Sequence, residues 1–331
     1  MFENVSIIGD GAMGTVLGMV LCEKGIAARM WGHDRGQLAQ MESARENEKF
    51  LPGYELPKEL AFEADDGLIM VGADLIVSAV PCQYARSVWT RLKSHVPAGV
   101  PVVSVSKGIE NSTLLRATET LAGVLGGDVK YAVLSGPTIA DELARRLPAT
   151  ACAASSDEQL AREVQYTFST DWLRIYTNTD IVGVELAGAM KNIIAIAAGV
   201  IDGTGSGDNA KAALLSRGLT EITRLGVACG ARPETFAGLT GLGDLVTTCI
   251  SPKGRNRSFG ERIGRGQSVE EAIGATESVI EGIATCKSVV SLAKQNGVEI
   301  PITHAVYEVL FENKPVLTAI SELMRRRLKA E

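Results

Sequence analysis

Asn4-Val5-Ser6-Ile7-Ile8-Gly9-Asp10-Gly11-Ala12-Met13-Gly14-Thr15 is the stretch that decides the architecture of this chain. Asn4–Ile8, rich in β-branched side chains, reads as a buried strand, and Ala12–Lys24 reads as a helix closed by Gly25. Between them, Gly9-Asp10-Gly11-Ala12-Met13-Gly14 fits G-x-G-x-x-G in the strand–turn–helix context that gives the motif its meaning. The first glycine permits the tight turn, the second lets a pyrophosphate approach backbone, and the third lets helix pack on strand. The helix start offers N–H groups and the positive end of a dipole to an anion. The stretch therefore predicts a dinucleotide-binding domain.

Outward from this turn the same alternation continues. Ile26–Trp31, Leu75–Ala79, Pro101–Val105, Tyr131–Leu134 and Thr150–Ala153 read as strands, with helical patterns at Tyr84–Lys93, Leu114–Leu125, Thr138–Arg145 and Glu158–Thr167. Strand and helix in repeated succession predict a parallel sheet covered on both faces. After about Tyr176 the pattern changes. Ile181–Ile201 is small and apolar nearly all round, Gly203–Gly207 reads as a loop, and Ala210–Leu225, Val269–Ile273, Ile283–Gln295 and Ala305–Phe311 read as helices. The expected fold class is α/β, a Rossmann-type doubly wound parallel sheet over 1–184 followed by an all-α domain over 185–331.

Composition agrees with this plan. A chain of 331 residues suits two domains of about 150 residues each, and 46% hydrophobic content fills their cores and excludes low-complexity disorder. The formal charge of −6 argues against a nucleic-acid binder, which needs a basic domain or stripe. Glycine is in excess: 35 of 331 residues, about 10.6%, against a usual value of about 7%. The N-terminal residues lack a basic region followed by a long apolar stretch, and no apolar run reaches 18 residues, so neither a secretory signal nor membrane insertion is expected. Six scattered cysteines without C-x-x-C, and only three histidines, leave little material for a metal site and fit reduced thiols in the cytoplasm. Lys329-Ala330-Glu331 matches no peroxisomal address.

The second strand bears on cofactor choice. NAD enzymes commonly end it with a carboxylate for the ribose 2′-hydroxyl. Here it ends at Trp31-Gly32, with Asp34 two residues beyond the strand end and the cations His33 and Arg35 on either side of it. These cations favour NADP(H), with NAD(H) also accepted, although His33-Asp34-Arg35 also fits a solvated helix start.

Other residues invite chemistry. Lys107 follows the apolar run Val102–Val105, just past the strand's C-terminal end, where open α/β sheets bind ligands. Lys191 lies in a helical stretch whose neighbours Ala187, Gly188 and Ala195 leave its face nearly bare. Desolvation there favours the neutral amine and suits a general base. Glu185, six residues earlier, cannot pair with Lys191 along the helix, and Asn192 offers directional hydrogen bonds. Asp244, inside Gly241-Leu242-Gly243-Asp244-Leu245, is a carboxylate in an apolar turn and needs a lysine or a hydroxyl partner. Lys253-Gly254-Arg255-Asn256-Arg257-Ser258 combines glycine freedom, two guanidinium groups and a helix start, a combination suited to phosphate.

Over nearly its whole length the chain resembles the bacterial-type NAD(P)-dependent glycerol-3-phosphate dehydrogenases. Eight ordered blocks carry the resemblance: GDGAMGT with WGHD, FLPG at Phe50–Gly53, SKGIE at Ser106–Glu110, SGPTIADELARRLPAT from Ser135, GVELAGAMKNIIAIAAGVIDG from Gly183, GLGDLVTTC from Gly241, GRNRSFG from Gly254 and VIEG at Val279–Gly282. The resemblance implies interconversion of dihydroxyacetone phosphate and sn-glycerol 3-phosphate, supplying phospholipid synthesis, by a homodimer whose helical domain carries substrate binding and dimerisation. It implies Lys191 as general acid/base at the substrate C2 oxygen. Lys107, Gly136, Thr138, Asp244, Gly254, Arg255 and Asn256 follow as further substrate contacts, with Thr248 a weaker candidate. Gly9, Ala12, Met13, Gly14, His33, Lys107, Ala140, Arg255 and Glu281 follow as cofactor contacts. Asp10 departs from the pattern, since a small neutral residue is commoner there. Two rivals are a β-hydroxyacid dehydrogenase of the 6-phosphogluconate type, which shares the Lys-Asn pair, and a non-catalytic NAD(P)H sensor. The GLGDLVTTC and GRNR blocks weigh against the first, and the proton-transfer lysine against the second.

Overall fold

The computed structural model describes residues 2–276 and 279–328; the tripeptide 329–331 read for a targeting address lies outside them. The chain divides into two compact units, Met1–Lys107 with Leu115–Glu185, and Gly108–Leu114 with Leu186–Glu331. The short 108–114 segment thus groups with the helical unit rather than with the strands that flank it. Within that unit the Ser288 hydroxyl lies 2.9 Å from the Ile109 carbonyl and 2.5 Å from the Asn111 side-chain oxygen, which ties the segment down.

The first unit holds ten strands among the described residues: β1 Asn4–Ile8, β2 Ala27–Trp31, β3 Glu46–Asn47, β4 Leu51–Glu55, β5 Ala61–Phe62, β6 Leu75–Ser78, β7 Val102–Ser104, β8 Tyr131–Ser135, β9 Ala149–Ala154 and β10 Leu173–Asn178. Eight form one sheet in the order β10-β9-β8-β7-β6-β1-β2-β5, and β3 and β4 pair apart from it. Successive side chains of a strand point to opposite faces, and each face here is buried. Val5, Ile7, Leu75, Val77 and Val103 pack with Val16, Leu17 and Val20 of the Ala12–Glu23 helix. Ile8, Ile76 and Val102 pack on the other face with Trp89, Leu92 and Leu121. Polar side chains inside are paired: the Ser6 hydroxyl donates to the Ile69 carbonyl at 2.5 Å, and the Trp89 indole donates to Ser78 Oγ at 2.9 Å.

The sheet is the expected doubly wound, predominantly parallel one, with a single antiparallel join. β8 and β9 pair antiparallel, and β10 runs parallel to β9. The link between β8 and β9 holds the five-residue helix Ala140–Ala144, shorter than the expected Thr138–Arg145. β10 was not foreseen as a strand because its side chains alternate, with Leu173 and Ile175 buried and Arg174 and Tyr176 exposed, as befits an edge.

The second unit is helical. The Ile181–Thr204 helix, whose residues from 186 onward belong to it, is long and apolar enough to cross a membrane, yet 83% of its apolar window is buried inside the protein. It meets the Arg255–Gly264 helix backbone to backbone. A Cβ on Gly199 would stand 1.9 Å from the Arg257 carbonyl oxygen, and one on Gly260 would stand 2.0 Å from that of Ile196. Gly203 and Gly264 make the same contact one turn further on. Gly203 therefore lies inside a helix and not in the expected 203–207 loop. Glu221, buried in the Asp208–Ala228 helix, accepts the Ile302 and Thr303 amides at 2.8 and 2.9 Å and so caps the Pro301–Phe311 helix.

Candidate active site

In the first unit the glycine turn has the geometry the motif demands. Gly9 sits at φ +120°, where a side chain is strained, and its Cβ would fall 2.7 Å from the Ala79 carbonyl oxygen. A Cβ on Gly14 would stand 2.2 Å from Gly9 O. A Cβ on Gly11 would meet nothing within 4 Å, so what its absence leaves clear is open space above the backbone. Gly11 is the N-cap of the Ala12–Glu23 helix and brings no side-chain hydrogen bond, and no acidic residue lies in the first turn. Ala12 and Met13 thus open an uncapped helix beneath a clear approach, a cradle that fits a dinucleotide pyrophosphate. Asn47, which nothing in the motif announced, braces the turn: its amide donates to Asp10 O and to Thr15 Oγ1, both at 2.8 Å.

Elsewhere in this unit, Gly136 at φ +133° presents its carbonyl to Lys107 Nζ at 2.8 Å and to the Thr138 hydroxyl at 3.1 Å. Three residues named from sequence are thereby held together. Ala140 opens the short helix that follows. His33 stands exposed after β2, and Asp34 caps the Arg35–Ala44 helix by accepting the Gly36 and Gln37 amides at 2.8 and 3.2 Å. The capped helix start read as an alternative at these residues is the arrangement present. Glu185 ends the unit with partners of its own, the Arg116 guanidinium and, at 2.8 Å each, the amide and hydroxyl of Thr118. Burial pushes the Glu185 carboxyl up from its ordinary range, and the Arg116 charge opposes that.

In the second unit, Lys191, Asn192, Asp244 and Asn256 are all buried. The face of Lys191 that sequence left nearly bare is occupied: its ammonium pairs with Asp244, and Thr248 Oγ1 lies 2.5 Å from Nζ. The Thr248 hydroxyl also reaches Asp244 at 3.3 Å and closes a triangle. Thr248, ranked weakest from sequence, is integral to this cluster. Asp244 is delivered by a turn of π-helix, Leu239–Gly243, that runs into the Asp244–Ile250 helix; such turns are frequent at functional sites. Asn256 donates to Asn192 Oδ1 and accepts the Gly282 amide, both at 3.0 Å, and this links the start of the Arg255–Gly264 helix to the residue beside Lys191. Arg255 is exposed, with Nη1 3.2 Å from the Val279 carbonyl, and Glu281 begins the Glu281–Asn296 helix. Gly254 caps the Arg255–Gly264 helix without a side chain, but its own amide donates to Ser251 O at 3.1 Å. An anion there would meet the amides that follow Gly254.

The cluster can hold an ammonium against an oxygen and pass a proton, while the exposed guanidinium and uncapped helix start suit a phosphate. Comparison with known proteins agrees with this chemistry. Family models described as the NAD-dependent glycerol-3-phosphate dehydrogenase N-terminus and C-terminus match residues 4–161 and 180–321. A relative from Citrifermentans bemidjiense, named glycerol-3-phosphate dehydrogenase (NAD(P)+), is 46% identical over 100% of this chain and 99% of its own length. One of the same name from Geobacillus kaustophilus is 44% identical over 99% of this chain and 96% of its own. The crystal structure of the Coxiella burnetii glycerol-3-phosphate dehydrogenase superposes with a TM-score of 0.94 at 37% identity, covering 98% of this chain and 99% of that one.

Proposed function

The chain belongs to the NAD-dependent glycerol-3-phosphate dehydrogenase family, and from that membership we propose how its residues divide the reaction between them. The enzyme interconverts dihydroxyacetone phosphate and sn-glycerol 3-phosphate with NAD(P)(H), a reaction that supplies glycerol phosphate for phospholipid synthesis. The nicotinamide cofactor, when bound, would supply or accept the hydride at the substrate C2 carbon. Gly9, Ala12, Met13 and Gly14 hold the pyrophosphate of that cofactor through backbone, with His33, Lys107, Ala140, Arg255 and Glu281 as its other contacts. Lys191 donates a proton to the C2 oxygen during reduction and takes one back during oxidation. Its ammonium also stabilises the negative charge that develops on that oxygen. Asp244 compensates the cost of burying the ammonium, and Thr248 fixes where Nζ points. Arg255, Gly254 and Asn256 anchor the substrate phosphate, with Lys107, Gly136 and Thr138 as further contacts, so that binding orients the reacting carbon. The protein acts as a cytoplasmic homodimer, a reading supported by family membership and, for the compartment, by six cysteines that form no disulfide among the described residues.

The observation that carries this reading is the buried Lys191–Asp244–Thr248 cluster. Lys191→Ala is expected to lower kcat about 10²- to 10⁴-fold, the usual worth of a positioned acid/base. Cofactor affinity, measured by nicotinamide fluorescence, is expected to stay at the parent value. Near-normal turnover in the folded variant would remove Lys191 from the proton transfer.

A further inference from the structure

Dinucleotide folds that take NAD(H) set an acid at the end of the second strand, where it accepts the ribose 2′-hydroxyl, and those that take NADP(H) set a cation near the same spot. In this chain β2 ends at Trp31 and is followed by Gly32. The acid with the expected spacing, Asp34, turns its Oδ1 to the Gly36 and Gln37 amides as a helix cap. Another carboxylate fills the place. A Cβ on Gly32 would lie 2.7 Å from Leu38 Cδ1 and 2.8 Å from both Cγ and Oδ2 of Asp10, so the Asp10 carboxylate, packed with Leu38, borders the space where a residue-32 side chain would project. It comes from the glycine turn itself, and Asn47 grips the Asp10 carbonyl from behind.

We propose that Asp10 is a specificity-determining residue for the cofactor, its carboxylate accepting the ribose 2′-hydroxyl and opposing a 2′-phosphate. The proposal rests on the dinucleotide reading of the glycine turn and deepens it. The charged neighbours of Asp10 are Lys49 and His33, which attract a phosphate, and Asp34, which repels one. Asp10 therefore acts against the Lys49 ammonium, and its removal leaves that charge to favour NADPH. Burial pushes the Asp10 carboxyl up from its ordinary range, with its own amide and Lys49 only opposing this, so a hydroxyl donor is a partner the environment leaves room for.

Equilibrium binding of NADH and of NADPH to the ligand-free protein, followed by the fluorescence of the reduced nicotinamide, tests the proposal without turnover. Asp10→Asn keeps the shape and removes the charge; it is expected to tighten NADPH about tenfold, equivalent to about 1.4 kcal/mol, and to change NADH little. Asp10→Ala removes the acceptor as well and is expected to weaken NADH about tenfold while NADPH tightens. Both variants are checked for fold by circular dichroism. A ratio of the two dissociation constants that stays within about twofold of the parent in both folded variants would overturn the role of Asp10 and leave the family reading intact. A folded parent protein that binds neither nucleotide would overturn the dinucleotide reading together with the proposal.

Discussion

At the scale of single residues the chemistry was legible wherever a charge stood in surroundings that make charge expensive. Asp244 inside an apolar glycine turn called for a partner and has Lys191, whereas the face of Lys191, read from sequence as nearly bare, is filled by that carboxylate. The pairing itself could not be read, because 53 residues separate them and no local spacing connects them. Asn47 was not legible for a different reason: it is one polar residue in a polar segment, and only the pairing of β3 with β4 turns its amide onto the glycine turn. Arg255 belongs to the legible class, a guanidinium at a helix start. Removing it should act on substrate capture more than on the hydride step. Arg255→Ala is expected to raise KM for dihydroxyacetone phosphate at least about tenfold, in keeping with the strength of charge-assisted hydrogen bonds. Arg255→Lys should recover only part of that, because an ammonium lacks the planar fork that matches phosphate. Steady-state kinetics on both variants checks this, and an unchanged KM would exclude Arg255 from the phosphate site.

At the scale of elements, strands buried on both faces and long helices declare themselves by composition, whereas the antiparallel direction of β9 leaves no mark in local pattern. The crossing of the Ile181–Thr204 and Arg255–Gly264 helices is likewise absent from local pattern. Gly203 read as the start of a loop, and only the packed pair shows that a side chain at Gly199, Gly203, Gly260 or Gly264 would strike the facing backbone. That crossing sets Asn256 against Asn192, beside Lys191. Glu221 shows the same kind of tertiary demand: a buried carboxylate that caps a helix other than its own. Burial pushes its carboxyl above the ordinary value of 4.5, although the amides it accepts oppose this. The folded state therefore holds that proton more tightly than the unfolded state, and the contribution of Glu221 to stability declines as pH rises from about 4.5 through the raised value. Glu221→Gln should remove this decline, while Glu221→Ala should cost about 1–3 kcal/mol by orphaning two buried amides. Denaturant unfolding across that pH range tests both; a parent and a Gln variant with parallel pH profiles would contradict the assignment.

For the whole molecule, two compositional facts gain a location. Part of the glycine excess lies where backbone meets backbone closely, at Gly9, Gly14, Gly199 and Gly260. The net charge of −6 coexists with Lys107, Lys191 and Arg255, the cations that the proposed function assigns to phosphorylated ligands. The fold class was within reach of sequence because motif and context agreed. The divided ownership of the 108–114 segment was not, since it depends on Ser288 far along the chain. The most direct measurement is the oxidation of NADPH and NADH in the presence of dihydroxyacetone phosphate, followed by absorbance with identification of the product. Consumption of reduced cofactor in step with formation of sn-glycerol 3-phosphate is the predicted result. Folded protein that turns over neither cofactor with that substrate would contradict the account.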